Sequence, residues 1–139
     1  MSVDALLNST VGGCLILDVI GQGGMGVIYK ARQKSLVRIV ALNVLSPHLA
    51  MDNNFVKRFQ QEARAIARVN HPNILAVYDV GSDQNVNYMI MELIDGQSLA
   101  EFQNEFGGAP LPWELANNFI RQAARGLEAA QLAGIIHRD

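Results

Sequence analysis

Gly21-Gln22-Gly23-Gly24-Met25-Gly26 stands between two apolar, β-branched runs, Cys14 to Ile20 and Val27 to Arg32. The residues after the last glycine decide the fold. Val27-Ile28-Tyr29-Lys30 reads as a strand, so the glycines join a hairpin. Similar glycine spacing marks dinucleotide-binding folds, but there a helix must open directly after the turn. A backbone that comes within hydrogen-bonding distance of phosphate oxygens has no room for a Cβ. Gly21, Gly23 and Gly26 remove that obstacle and permit positive φ. By spacing alone, a glycine-rich hairpin without a ligand also fits.

Outward from the hairpin the pattern stays strand-rich, then turns helical. Arg38 to Leu45 is a third strand, and Ser46-Pro47-His48 breaks it. Asp52 is an N-cap for a helix running to about Val69, with Phe55, Phe59, Ala63, Ile66 and Val69 on one face. After the turn Asn70-His71-Pro72-Asn73, Ile74 to Val80 and Asn87 to Met91 read as strands joined through Gly81-Ser82-Asp83. Asp95-Gly96 is another turn. Ser98 caps a short helix to about Phe106, and Gly107-Gly108-Ala109-Pro110 is a linker. A long helix starts at Pro112, a residue suited to a helix start, and runs to about Ala133, where Gly134 ends it. The expected fold is α+β: a twisted five-stranded antiparallel sheet with one packed helix, followed by two helices.

Composition narrows the function. The 139 residues suit one domain; 50% are hydrophobic and 17% charged, an ordinary globular balance. Net charge is −2 with no long basic run, so neither nucleic acid nor an anionic membrane is an expected partner. A single cysteine, Cys14, excludes an intrachain disulfide and fits a reducing cytoplasm. Residues 1–10 lack the basic start and apolar run of a signal peptide, and no apolar stretch is long enough to span a bilayer.

Further signatures occur in a fixed order: Ile20 to Arg32, Val40 to Leu45, Glu62, His71-Pro72-Asn73-Ile74, Tyr88-Met89-Ile90-Met91-Glu92 and His137-Arg138-Asp139. Together they closely resemble a bacterial serine/threonine protein kinase of the eukaryotic-like type, from about Val11 to Asp139. The resemblance covers about half of a kinase domain. It implies an N-terminal tail (1–10), a kinase-like N-lobe and hinge (11–95), and the start of a truncated C-lobe (96–139). Ile20, Ile28 and Ala41 match positions that roof the adenine ring. Gly21, Gln22, Gly23, Gly24, Met25 and Gly26 would cover the phosphates. Met91 resembles the gatekeeper, and Glu92 to Ile94 resemble the hinge whose backbone pairs with adenine. Glu62 matches the helix glutamate that pairs with a strand lysine. Ile66, Val77 and His137 resemble members of the packed column that aligns the two lobes. Asp139 matches the aspartate that orients the attacking hydroxyl. Plain core packing also accounts for Ile20, Ile28, Ala41, Ile66 and Val77.

Position 43 departs from the pattern. The family carries a lysine there, which neutralises charge on the α- and β-phosphates and anchors the helix through the glutamate. Asn43 is uncharged and shorter. Losing one preorganised donor typically costs roughly 3–4 kcal/mol, about a hundred- to a thousandfold in rate, and here a full charge goes. Lys30 and Lys34 lie nearby in sequence, but no spacing assigns either to the missing role. The family's catalytic-loop asparagine, magnesium-binding aspartate and activation segment follow the position matched by Asp139. The resemblance therefore implies that residues 1–139 bind ATP weakly, hold no magnesium and transfer no phosphoryl group, even with lysine restored at 43.

On the long helix Trp113, Ala116, Ile120, Ala123, Leu127 and Ala130 form a narrow apolar seam. A seam of this size is expected to find cover. The expected partner is a second copy meeting the Trp113, Ile120 and Leu127 face, with two-fold symmetry as the default; folding back onto the small lobe is the alternative. Fraying, assisted by Gly126, is the remaining outcome. Three functions stay open: a degenerate kinase remnant that binds itself or a protein partner, a fragment of a longer active kinase, and a nucleotide-binding sensor without transfer.

Overall fold

The computed structural model describes residues 3–136. His137, Arg138 and Asp139 lie outside the described residues. The chain divides into two compact units, Met1–Asn70 with Leu75–Leu93, and His71–Ile74 with Ile94–Asp139.

The first unit is a single antiparallel sheet with helices. Its strands are β1 (Thr10–Val11), β2 (Cys14–Gly23), β3 (Gly26–Gln33), β4 (Arg38–Leu45), β5 (Val77–Asp83) and β6 (Val86–Met91), in the spatial order β1-β2-β3-β4-β6-β5. The sheet thus has six strands, not the expected five. The extra strand is two residues long, too short to show periodicity. It turns into β2 through Gly12 and Gly13, whose φ of 55° and 75° suit a tight hairpin. The region set aside as a tail also joins the fold. Its 3₁₀ turn spans Val3–Leu6, and Leu6 and Leu7 pack against the core.

Alternation places Tyr29, Ala31, Val40, Leu42, Val44, Tyr88 and Ile90 on one face, where they form the core with Val11, Cys14 and Ile16. Each large aliphatic among them contributes about 1.5–3 kcal/mol by leaving water. Burial also pushes the Cys14 thiol pKa up. The sheet curls so that its two ends meet. The Gly12 amide donates to Asp83 Oδ2 at 2.9 Å, and the Tyr88 ring fills the space that a Cβ on Gly12 or Gly81 would need. The β5–β6 connection differs from expectation for the same reason. Gly81 and Ser82 lie inside β5, and the turn is Gln84-Asn85, both at positive φ.

Ser46-Pro47 starts a one-turn helix, α1 (Pro47–Ala50), because proline suits the first helical position and the Ser46 hydroxyl accepts from the Leu49 amide. Helix α2 (Asn53–Ile66) follows. Asp52 Oδ1 caps it, accepting from the amides of Asn54 (2.9 Å) and Phe55 (3.2 Å). It packs on β5 with Ala63 fully buried. It ends at Ile66 rather than Val69, and the chain continues only as tight turns through Arg68 and Val69.

The second unit contains α3 (Leu99–Glu105) and α4 (Trp113–Leu132). Ser98 and Glu101 form a reciprocal capping box on α3, and the hydrogen bonds from Ser98 hold the Glu101 carboxyl below its ordinary pKa. Phe102 packs against Phe106 and, edge-on, against Phe119 of α4. The seam read from sequence is not the face that α4 uses within its unit. Phe119 and Gly126 face inward, while Trp113, Ile120 and Leu127 are 70%, 68% and 54% exposed. Nor is Gly126 a weak point for fraying. It is buried where the 71–74 segment crosses the helix, and Asn73 Nδ2 donates to Gln122 Oε1 at 3.2 Å beside it.

Candidate functional site

Strand register brings the separated sequence motifs together. Gly21 lies opposite Ile28, Ile28 opposite Asn43, and Asn43 opposite Met89, in one row across four strands. The next row on the same face runs Asp18, Lys30, Ala41, Met91 and Val77. Residues directly opposite in antiparallel pairs share a face. Ile28, Ala41, Asn43 and Met91 therefore lie side by side on the face opposite the Tyr29–Leu42–Ile90 core. Ala41 and Met91 are buried, and Ile28 and Asn43 are half-buried.

The glycine turn closes this surface at one end. Strands β2 and β3 continue to Gly23 and Gly26, which pair, so the loop itself is only Gly24-Met25. The glycines fall into two kinds. Gly26 is required by the fold: its φ is 156°, and a Cβ there would fall 2.0 Å from the Val44 carbonyl oxygen. Gly21, Gly23 and Gly24 have ordinary φ, and a Cβ on any of them would meet nothing within 4 Å. The Ser46 amide donates to the Met25 carbonyl at 2.9 Å and pins the loop. Ile20 is the extra residue of a β-bulge between Val19 and Gly21 and is 50% exposed. Gln22, Met25 and Gly24 are exposed beside it.

At the far end of the face, Glu92 folds back on β5. Its amide donates to the Ala76 carbonyl (2.9 Å), and its Oε2 accepts from the Ala76 amide (3.2 Å). That leaves its carbonyl with no intrachain partner among the described residues. Ile94, in the second unit, is 60% exposed. Glu62 on α2 is exposed, next to the buried Ala63, and takes no ion pair or hydrogen bond among the described residues. Asn43 likewise takes no side-chain hydrogen bond there. Asp139 lies outside the described residues, so its position carries no geometry.

A cavity of about 300 Å³ opens beside the same turn, lined by residues including Gln22, Gly23, Val27, Tyr29 and His48. Ala41, Asn43 and Met91 do not line it. Lys30, which spacing alone could not assign to the missing charge, stands on this face. Its register position on the site face is visible only once the β3–β4 pairing is known.

The fold and this face define a protein kinase domain. Residues 15–139 match the protein kinase domain family, and the chain belongs to it. More narrowly, it is part of a bacterial Hanks-type serine/threonine kinase domain. It is 38% identical over 124 residues to the serine/threonine-protein kinase PrkC of Bacillus subtilis, covering 89% of this chain and 19% of PrkC. It is 40% identical over 135 residues to PknL of Mycobacterium tuberculosis, covering 97% of this chain and 33% of PknL. The crystal structure of the M. tuberculosis PknI kinase domain superposes with a TM-score of 0.86 at 31% identity, over 95% of this chain and 53% of that one. The chain thus spans about a fifth to a third of these curated relatives and about half of a solved kinase domain.

Proposed function

We propose that residues 1–139 comprise the nucleotide-binding small lobe and the start of the large lobe of a serine/threonine-kinase domain, and that these residues are deficient in phosphoryl transfer. The observation that carries this reading is the open ground over Gly21, Gly23 and Gly24. Among the described residues, nothing lies within 4 Å of a Cβ at these three positions, so none of them requires glycine there. A polyphosphate approaching the backbone amides does require it. The apolar pair Ala41 and Met91 then suits the adenine, and the Glu92 carbonyl, without a partner among the described residues, suits its exocyclic amine.

Asn43 supports the deficiency. A neutral amide at this point of the face neutralises no phosphate charge and leaves Glu62 without the family's partner. Isothermal titration of the purified chain with ADP and adenosine tests the reading. Saturable binding of both is expected, with affinity well short of an active kinase. Absence of any adenine-nucleoside binding would sink it.

The extent of the relatives favours a second reading for the whole protein. Because residues 1–139 match only part of each relative, a longer protein containing them would be an active kinase if it adds the metal-binding residues and a working cation. The coding sequence downstream of codon 139 decides between the two. The exposed α4 seam supports self-association through Trp113, Ile120 and Leu127 in either case.

A further inference from the structure

We propose that Lys30 supplies the phosphate-neutralising ammonium that residue 43 lacks. The inference rests on the nucleotide-binding reading above and names the cation of that same site. Lys30 stands opposite Ala41, in the row next to Ile28 and Asn43, and on the same face. It is therefore the diagonal neighbour of Asn43, and such neighbours have Cβ atoms about 7–8 Å apart. A lysine carries a flexible four-carbon stem that extends its ammonium about 5 Å beyond the Cβ. A phosphate resting over Gly21 and Asn43 lies within that sweep.

The other cations of β3, β4 and the turn between them are engaged or too distant. Lys34 Nζ donates to Thr10 Oγ1 at 2.9 Å. Arg38 Nε donates to Gln33 Oε1 at 2.7 Å, and its guanidinium lies over the Tyr78 ring, 3.8 Å from the centroid. Arg32 shares the face but sits one further row from Asn43, opposite Ile39. Lys30 is exposed and takes no hydrogen bond or ion pair among the described residues. The carboxylate directly opposite it, Asp18, accepts instead from the Val19 amide at 2.8 Å. The ammonium is thus available and near the one position where the family's charge is missing. No bond is made or broken in this role; the ammonium acts as a point charge and hydrogen-bond donor to phosphate oxygens.

Calorimetric titration with ADP and with adenosine separates this role from nucleoside binding. The parent chain is expected to bind ADP about tenfold more tightly than adenosine. In Lys30→Met the ADP affinity is expected to fall to the adenosine level while adenosine binding is unchanged. Lys30→Arg is expected to retain most of the ADP preference, and Asn43→Lys added to Lys30→Met to restore it. If Lys30→Met leaves the ADP-to-adenosine ratio intact, Lys30 is not the cation, and the nucleotide site stands without it. If the parent binds neither compound, both the site and the role of Lys30 fall. Thermal unfolding of each variant without ligand, expected within about 2 °C of the parent, shows that the affinities compare folded proteins.

Discussion

A Cβ placed on Gly126 of α4 would lie 2.5 Å from the carbonyl oxygen of Asn73. The helix is glycine at the one point where the His71-Pro72-Asn73-Ile74 segment crosses it, and Asn73 adds a side-chain hydrogen bond to Gln122 one turn earlier. The His71 ring holds the segment in shape, since its Nδ1 accepts from the Asn73 amide at 3.1 Å. A sequence motif and a helix more than fifty positions away are thus fitted to each other by the absence of one methyl group.

Replacing Gly126 by alanine should therefore destabilise. In an exposed helix interior the change would stabilise by about 1 kcal/mol. Here the overlap with a backbone carbonyl should reverse the sign and cost about 1–3 kcal/mol. Urea denaturation followed by circular dichroism measures the difference. A Gly126→Ala chain as stable as its parent would show that the close approach is not maintained in solution.

The glycine hairpin should respond in two opposite ways. Gly26→Ala meets the Val44 carbonyl and an unfavourable φ, and should lose at least ~2 kcal/mol of stability. Gly24→Ala has open space and ordinary φ, so its stability should stay within about 0.5 kcal/mol of the parent. Its ADP affinity should nevertheless drop, because the new methyl occupies phosphate space. A Gly24→Ala chain with unchanged affinity would count against a phosphate at the turn.

Asn43→Lys restores a charge opposite Ile28 on the site face. ADP binding should tighten about tenfold, by roughly the 1.4 kcal/mol expected of one added charge-assisted contact. Transfer of the γ-phosphate to protein should remain undetectable in residues 1–139. Label incorporation into a generic protein substrate, above that of a mock preparation, would overturn the proposed deficiency.

The alkaline limb of stability should carry the signature of Tyr88. Burial, then the charges of Asp79 and Asp83, raise its pKa above the ordinary 10.0. The folded state thus favours the neutral phenol. The resulting stability is fully present below about pH 10 and is lost as pH rises through the raised folded value. Tyr88→Phe cannot ionise, so its stability should fall less steeply than the parent's over that range. Parallel slopes in the two proteins would remove Tyr88 as the cause.

The α4 seam predicts concentration-dependent association. Trp113, Ile120 and Leu127 are more than half exposed along one helix face. Light scattering coupled to size exclusion should show dimers at high concentration, and Ile120→Glu with Leu127→Glu should return the chain to monomer without changing its helix content. A parent that stays monomeric at high concentration would exclude self-association by this face.

Much of the fold was legible in the residues. The strand after Gly26, the Asp52 and Ser98 caps and the long helix after Pro112 are local choices, fixed by neighbours within a few positions. Their physical cause, hydrogen bonding and side-chain period, operates within the segment. The order of the motifs was also enough to identify the kinase family, and the missing lysine at 43 was readable as a single letter. Other features depended on packing across distance. Strand β1 forms because Gly12 and Gly13 turn it onto β2, and the β5–β6 turn moved to Gln84-Asn85 because Gly81 was needed beneath Tyr88.

The site divides along the same line. Spacing determined that the glycines join two strands, and the family resemblance marked position 43 as the place where an ammonium is missing. Only tertiary structure decided which glycines the protein itself requires, since Gly26 meets Val44 while Gly21, Gly23 and Gly24 meet nothing. It also decided that Lys30 stands beside Asn43 and that Gly126 seats Asn73. A chain specifies its neighbours along the backbone directly, but it brings two segments together only through the register and curl of the folded sheet and the crossing of its helices.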